Sequence, residues 1–240
     1  MSPHYKIHRI YKKKLAGNTA PVSCSLDAIL KYDSLESQYF VYSELVASLL
    51  AQTIHVPVAI GVLTKIDAGD AYASIELGSP GLRLPDLLKT QYKRAATQYP
   101  DEAAALVMFD IFIGNWDRGG NMKATFVTPH TRMFQGFDHE HALLSVESDP
   151  MESIRRLSET DLIVKDHPFY GLLLFLQITK WAHRILETED AMIHESCEFG
   201  RPIGTVTIDM QEALADALCT RKGNLLRLLT GNSSQIALSI

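Results

Sequence analysis

Two aspartates and one asparagine lie within a short stretch of the chain, in an order that suits phosphate chemistry. An apolar run over 103–113 breaks at Gly114, and the polar loop that follows contains Asp117 and Asn121. Two short apolar segments around a turn come next, and the second ends at Asp138. Phosphoryl transfer from a nucleotide needs a carboxylate that orients the attacking hydroxyl, and an amide and a second carboxylate that hold Mg²⁺. The stretch is therefore a candidate phosphoryl-transfer site.

Each side chain of this set has a predicted role. Asp117 is the candidate that accepts the hydroxyl proton, and Arg118 beside it could stabilise a phosphate or clamp the loop. Asn121 and Asp138 are candidate metal ligands, because oxygen donors suit a hard cation. The loop alone is also compatible with a plain turn beside its Gly-Gly pair. The second carboxylate, at the end of an apolar segment, favours catalysis.

A lysine and a glutamate upstream could complete the set. Lys31 lies at the end of a strand-like run over 21–32, and Glu44 lies inside a helix predicted over 37–53. A helix carboxylate that holds a strand lysine places a positive charge on the nucleotide phosphates. The alternative is a pair of solvated surface charges, because most Lys and Glu side chains are exposed. The catalytic residues that follow in the expected order favour the ion pair.

The residues after Asp138 permit a different metal chemistry. On a strand, His139 and His141 would share a face, with Glu140 between them, and imidazoles suit zinc or iron. That interpretation predicts a metal hydrolase. No two histidines four residues apart have the glutamate after the first one that marks zinc hydrolases. Mg²⁺ chemistry is therefore the preferred hypothesis.

Composition bounds the class of protein. A chain of 240 residues forms one domain or two small lobes, and 46% hydrophobic and 21% charged residues are ordinary for a globular protein. The net charge of −5 does not favour direct nucleic-acid binding, and the basic segment 4–14 is expected to be a solvated arm. The three cysteines show no disulfide or zinc spacing, which favours the cytoplasm. No apolar run is long enough for a membrane span.

The order of predicted elements indicates an α+β fold with two lobes. The first part alternates strands with one helix, and the second part is mostly helical. The turn-forming segment Gly78-Ser79-Pro80-Gly81 separates the two parts. This predicts a β-rich N-lobe over 1–78 and a helical C-lobe over 79–240. Further strands are predicted over 59–65 and 72–77, and the main later helices over 102–113, 170–187 and 210–230.

These motifs resemble the HipA-like kinase family, distant relatives of phosphatidylinositol kinases and protein kinases. The family pattern has a helix ending in FDxxIxNxDR, a loop ending in Asn, and an Asp in a context such as IDHxxAL. The matching residues here are Phe109-Asp110, Ile113, Asn115, Asp117-Arg118, Asn121, Phe137-Asp138-His139 and Ala142-Leu143-Leu144. Weaker similarity surrounds Lys31, Glu44 and Val56-Pro57-Val58, and extends through 214–229.

The resemblance implies a two-lobed, protein-kinase-like fold. It also implies an ATP- and Mg²⁺-dependent kinase that phosphorylates serine or threonine of a protein target. It implies that Asp117 is the catalytic base, that Asn121 and Asp138 bind Mg²⁺, and that Lys31 contacts ATP phosphates. It also implies an adenine site between the lobes, at Ile75, Glu76 and Leu77, and a substrate groove formed by 145–166. Some members of the family belong to toxin–antitoxin pairs.

The chain departs from the family pattern at two places. Asn121 follows Asp117 by four residues where the family has five, and we expect the Gly119-Gly120 pair to absorb the difference by positive φ. The candidate phosphate-covering loop, over 15–20, has a single glycine. A kinase-fold binding module without turnover is therefore the alternative function.

Overall fold

The computed structural model describes residues 7–14, 22–67, 69–75, 78–79, 82–126 and 133–238. The chain begins with an antiparallel hairpin of β1 (Ile7–Lys14) and β2 (Val22–Leu26). The expected basic arm therefore contains a strand, although its described side chains are exposed. The single strand predicted over 21–32 is two strands, because the chain leaves the first sheet at Asp27 and enters a second sheet.

The second sheet has three antiparallel strands and carries the predicted lysine. Its strands are β3 (Ala28–Tyr32), β4 (Gly61–Ile66) and β5 (Gly69–Ile75), in the order β3-β5-β4. Lys31 pairs with Tyr72 in the register of β3 against β5. Gly69, at the turn into β5, has φ of +134°, which glycine adopts at little cost.

Helix α1 (Phe40–Ile54) packs against this sheet. The carboxylate of Asp33 accepts a hydrogen bond from the Val41 N–H at 2.9 Å, and so supports the first turn. The helix ends at His55, which has the left-handed φ of +64°. Residues on most of its circumference are buried, as expected for a helix that is apolar on every side. Glu44 is therefore carried into the interior on a rigid element.

Helix α3 runs through the centre of the core. It follows short strands β6 (Gly78–Ser79) and β7 (Leu82–Arg83), a 3₁₀ turn, and α2 (Tyr92–Gln98). Helix α3 (Pro100–Ile113) begins with proline at a position that needs no N–H partner, and ends at Gly114 with φ of +73°. Every residue from 103 to 113 is buried. This buried helix gives the loop that follows it a fixed base.

The predicted loop–strand–turn–strand unit is present as an antiparallel pair. Strand β8 (Met122–Ala124) pairs with β9 (Phe134–Gly136), and the predicted turn at Pro129 lies outside the described residues. The Gly136 N–H donates to the Pro57 carbonyl at 2.8 Å, and the Gly136 carbonyl accepts from the Ala59 N–H at 2.9 Å. These two bonds fix the hairpin to the segment that leaves α1, and Asp138 follows two residues later.

Five helices complete the chain. They are α4 (Pro150–Ser158), α5 (Phe175–Leu186), α6 (Asp190–Cys197), α7 (Ile208–Gly231) and α8 (Ser233–Ile236). The longest, α7, packs against α3, α4, α5 and α6. Its buried Arg221 donates to the Ile111 carbonyl at 2.9 Å, which anchors α7 on α3. The α+β, kinase-like fold class is confirmed, and none of the described helices has both the length and the apolarity to cross a bilayer.

Candidate functional site

Of the four residues predicted to act in catalysis or metal binding (Asp117, Arg118, Asn121 and Asp138), all but Arg118 line one small cavity. Asp117 and Asn121 reach it from the loop between α3 and β8, and Asp138 reaches it from the segment after β9. The other lining residues are Asn115, Glu140 and His141. Two elements that are distant in sequence therefore present two carboxylates and one carboxamide to the same space.

The loop around Asp117 is held in a compact form by its own amides. The Asn121 Nδ2 donates to the Asp117 carbonyl at 2.8 Å, and the Asp117 N–H donates to Asn115 Oδ1 at 3.4 Å. Gly120 has φ of +86°, as expected for a loop that is one residue short, whereas Gly119 has no positive φ. Because the amide nitrogen of Asn121 is committed to the loop, its carboxamide oxygen is the atom available for a metal.

Arg118 lies beneath the loop rather than in the cleft. Its Nε and Nη2 donate to the two carboxylate oxygens of Asp110 at 2.7 and 2.8 Å. Its Nη1 donates to the backbone carbonyls of Asn121 and Phe137 at 3.1 and 2.7 Å. The side chain is fully buried, so of the two roles considered above the structure favours the clamp. We therefore interpret Arg118 as a positioning residue that joins the loop to the segment leading into Asp138.

The carboxylate that receives Arg118 is the centre of a buried network. Asn115 Nδ2 donates to Asp110 Oδ1 at 3.1 Å, and His167 Nε2 lies 3.1 Å from Asp110 Oδ2. Burial alone would raise the pKa of Asp110, but the charge and hydrogen bonds of Arg118 outweigh it and hold that pKa well below its usual range. His167 Nδ1 accepts from the Phe169 N–H, and burial lowers the pKa of His167, so a neutral imidazole donates to Asp110. Sequence reasoning missed His167, which no motif marks.

The ion pair predicted between Lys31 and Glu44 is present. Lys31 Nζ lies 2.6 Å from Glu44 Oε1 and 3.2 Å from Asp138 Oδ1. Glu44 also accepts the His139 backbone N–H at 3.0 Å, and its second oxygen lies 3.3 Å from His139 Nδ1. Burial would raise the pKa of Glu44, but His139 and Lys31 outweigh it and hold that pKa well below its usual range. Glu44 thus orients both the lysine and the backbone beside Asp138.

Asp138 itself has an unusual backbone. Its φ is +62°, in the left-handed region that few residues other than glycine adopt. Such conformations cost free energy and persist where surrounding structure imposes them, often at functional sites. Here the Glu44 bond to the following N–H and the Arg118 bond to the preceding carbonyl bracket the residue. The carboxylate is 31% exposed and remains open to the cleft.

The alternative metal site built on His139 and His141 depended on a strand, and that premise is wrong. The strand ends at Gly136, and residues 137–141 continue as loop and turn. His139 is buried against Glu44, whereas His141 stacks on Trp116 with ring centroids 4.4 Å apart. Within the described parts of the chain, no group of three or more His, Cys, Asp or Glu side chains could hold a metal ion.

A larger cavity of about 300 Å³ lies between the sheet and the β8–β9 hairpin. Lys31, Glu44 and Asp138 line it together with apolar side chains that include Ile29 and Ile75. Ile75, one of the three residues predicted to contact adenine, therefore lines the same cavity as Lys31 and Asp138. Glu76, Leu77 and the candidate phosphate-covering loop over 15–20 lie outside the described residues.

The fold is that of kinase-like proteins. The chain is similar in structure to the Helicobacter pylori proinflammatory kinase CtkA, with a TM-score of 0.59 and 16% identity over 94% of this chain and 96% of that one. It is also similar to HipA in the complex of the Shewanella oneidensis MR-1 toxin–antitoxin system HipA and HipB with operator DNA. That match has a TM-score of 0.52 and 15% identity, and covers 87% of this chain and 61% of that one.

No protein-family model matches the chain, and no curated protein matches it in sequence. The two structural matches confirm the resemblance to HipA-like kinases at the level of fold.

Proposed function

We propose that this protein is an ATP- and Mg²⁺-dependent kinase that phosphorylates serine or threonine of a protein partner. The observation that carries the proposal is the shared cavity of Asp117, Asn121 and Asp138, with Lys31 in contact with Asp138. One of the structurally similar proteins is itself described as a kinase.

The donor set suits Mg²⁺ with a nucleotide. Asn121 Oδ1 and the Asp138 carboxylate supply oxygen ligands, and Mg²⁺ takes few protein ligands because water and phosphate complete its shell. Lys31 would contact phosphates, and the cavity that Ile29 and Ile75 line would receive the base. When bound, ATP supplies the γ-phosphoryl group and leaves as ADP, and Mg²⁺ neutralises charge on the phosphates.

Asp117 orients the acceptor hydroxyl and takes its proton as the hydroxyl oxygen bonds to phosphorus. It is half-buried at the edge of the cavity, where a rigid loop presents it. A positioned general base contributes about 10²- to 10⁴-fold to a rate. Arg118 acts through the loop, because its bonds to the Asn121 and Phe137 carbonyls set the distance between the two halves of the site.

A binding module that keeps the fold without turnover is the second candidate. The short spacing from Asp117 to Asn121 favours it, because the Asn121 amide is drawn back onto the Asp117 carbonyl. Such a protein would bind nucleotide or a partner without phosphoryl transfer.

Transfer from γ-labelled ATP tests the proposal. The wild type, Asp117→Asn and the control Glu195→Gln, an exposed residue on α6, are incubated with Mg²⁺ and protein acceptors, and ATP-dependent shifts in melting temperature are measured in parallel. We expect the wild type and the control to transfer label, and Asp117→Asn to lose about 100-fold or more of the rate while it keeps the shift. A shift without transfer by the wild type would support the binding module. Neither shift nor transfer would overturn the kinase assignment and also a binding module that uses nucleotide.

A further inference from the structure

A third cavity opens beside the loop that carries Asp117, and the proposed nucleotide site does not occupy it. Its volume is about 520 Å³, and it shares Glu140 and His141 with the small cavity of Asp117 and Asp138. Its other walls are the segment 35–39, which leads into α1, and the segment 145–148, which leads into α4, together with Trp116. A ligand in this cavity would therefore lie next to the candidate base.

Negative charge dominates the walls of this cavity. Glu36, Glu140 and Glu147 line it, and no Lys or Arg is among its lining residues. Arg156 lies outside the lining and pairs with Glu147, but it also binds Asp161 at 2.8 Å, so its charge is shared between two carboxylates. The hydrogen bond that Glu140 accepts there comes from the Ser37 hydroxyl, which is a neutral donor. A cationic ligand would thus be attracted and an anionic one repelled.

An exposed aromatic surface accompanies these carboxylates. Trp116 is 46% exposed, and its ring packs on that of His141 with the two ring planes tilted by 30°. Leu35, on the opposite segment, is 93% exposed. Guanidinium groups combine stacking on aromatic faces with hydrogen bonds to carboxylates, so this wall suits arginine better than a neutral side chain.

We propose that this cavity is the acceptor subsite and that it selects a peptide with an arginine or lysine close to the phosphorylated serine or threonine. The inference rests on the proposed function and names its substrate class. Trp116 directly precedes Asp117. Because the Cα atoms of neighbouring residues are about 3.8 Å apart, we expect a cation at Trp116 to lie within a few residues of a hydroxyl at Asp117.

Peptide binding tests the subsite without requiring turnover. Three serine peptides that differ only in flanking arginine, alanine or glutamate are titrated by fluorescence anisotropy against the wild type, Glu36→Lys and Glu195→Lys. The two variants change net charge equally, but Glu36 lines the cavity and Glu195 is exposed on α6 and lines neither cavity. We expect the arginine peptide to bind the wild type and Glu195→Lys about tenfold more tightly than the alanine peptide, and Glu36→Lys to lose that preference.

Phosphorylation of the same peptides separates the two proposals. Arginine-selective transfer would support both. Arginine-selective binding without transfer to any acceptor would keep the subsite and overturn the kinase assignment. Equal binding of the three peptides, or equal loss of preference in Glu36→Lys and Glu195→Lys, would overturn the subsite even if transfer occurs. Trp116→Ala and a fourth peptide, in which lysine replaces the arginine, add a second check, because the loss of stacking should weaken binding of the arginine peptide more than that of the lysine peptide.

Discussion

The molecule contains two clusters of carboxylates and cations that look alike in sequence and differ in the structure. In the interior, Asp110 and Arg118 are fully buried and satisfy each other's hydrogen-bonding groups. In the cleft, Lys31 and Asp138 remain 15% and 31% exposed and keep oxygen and nitrogen atoms open to a ligand. The same residue types thus fix the chain in one place and leave chemistry available in the other. Exposure and the number of partners distinguish the two roles.

The largest expected effect comes from breaking the interior cluster. Arg118→Met leaves the Asp110 carboxylate buried without its main partner, and we expect the free energy of unfolding to fall by about 3–5 kcal/mol. Denaturant titration measures this. The matched control is Lys180→Met, which removes an exposed partner of Asp101 at 2.8 Å and should change stability by about 0–1 kcal/mol. Equal effects of the two variants would show that the interior pair is not a structural clamp.

A smaller loss of stability is expected when the cleft cluster is broken. Lys31→Met removes one hydrogen bond to Glu44, which still accepts the His139 N–H, so we expect a loss of about 1–3 kcal/mol. The larger consequence should be functional. Affinity for ATP with Mg²⁺ should fall by about tenfold or more as a charged contact is lost. Calorimetric titration measures the affinity, and unchanged affinity would remove Lys31 from the nucleotide site.

The smallest expected effect is on pH dependence. Burial lowers the pKa of His167 below its unfolded value of about 6.5. The unfolded chain therefore binds the proton more readily than the folded chain. The contribution of neutral His167 to stability is fully present above a pH of about 6.5, and it is lost as the pH falls through the folded-state pKa. His167→Gln should flatten the dependence of unfolding free energy on pH below about 6.5. A dependence identical to that of the wild type would mean that His167 does not titrate with folding.

Local patterns were sufficient to predict much of the architecture. Apolar periodicity predicted α1, α3 and α7 close to their observed ranges, and the loop–strand–turn–strand unit is present as β8 and β9. Strand β1 was missed because its lysines suggested a solvated arm. Helix α4 was missed because it is short and mostly polar, although Asp149, which accepts the Met151 N–H at 2.7 Å, is a recognisable capping residue.

The different roles of the aspartates, one in the buried network and one in the cleft, could not be predicted in the same way. Asp110 and Asp117 lie seven residues apart, the first inside the apolar run and the second in the polar loop, but this pattern does not show which partners hold each carboxylate. The difference arises from packing with distant segments, including His167, which lies 57 residues from Asp110 in sequence. The lobe boundary at 78/79 and the adenine contacts at Glu76 and Leu77 stay predictions.

Metal-dependent nucleotide binding tests the central claim most directly. ATP is titrated by calorimetry into the wild type, Asp117→Asn and Asp138→Asn, with Mg²⁺ and with a chelator. The proposed site predicts binding by the wild type and Asp117→Asn only when Mg²⁺ is present, and loss of that binding in Asp138→Asn. No binding by the wild type, or binding that neither the chelator nor Asp138→Asn changes, would contradict a magnesium–nucleotide site in this cleft.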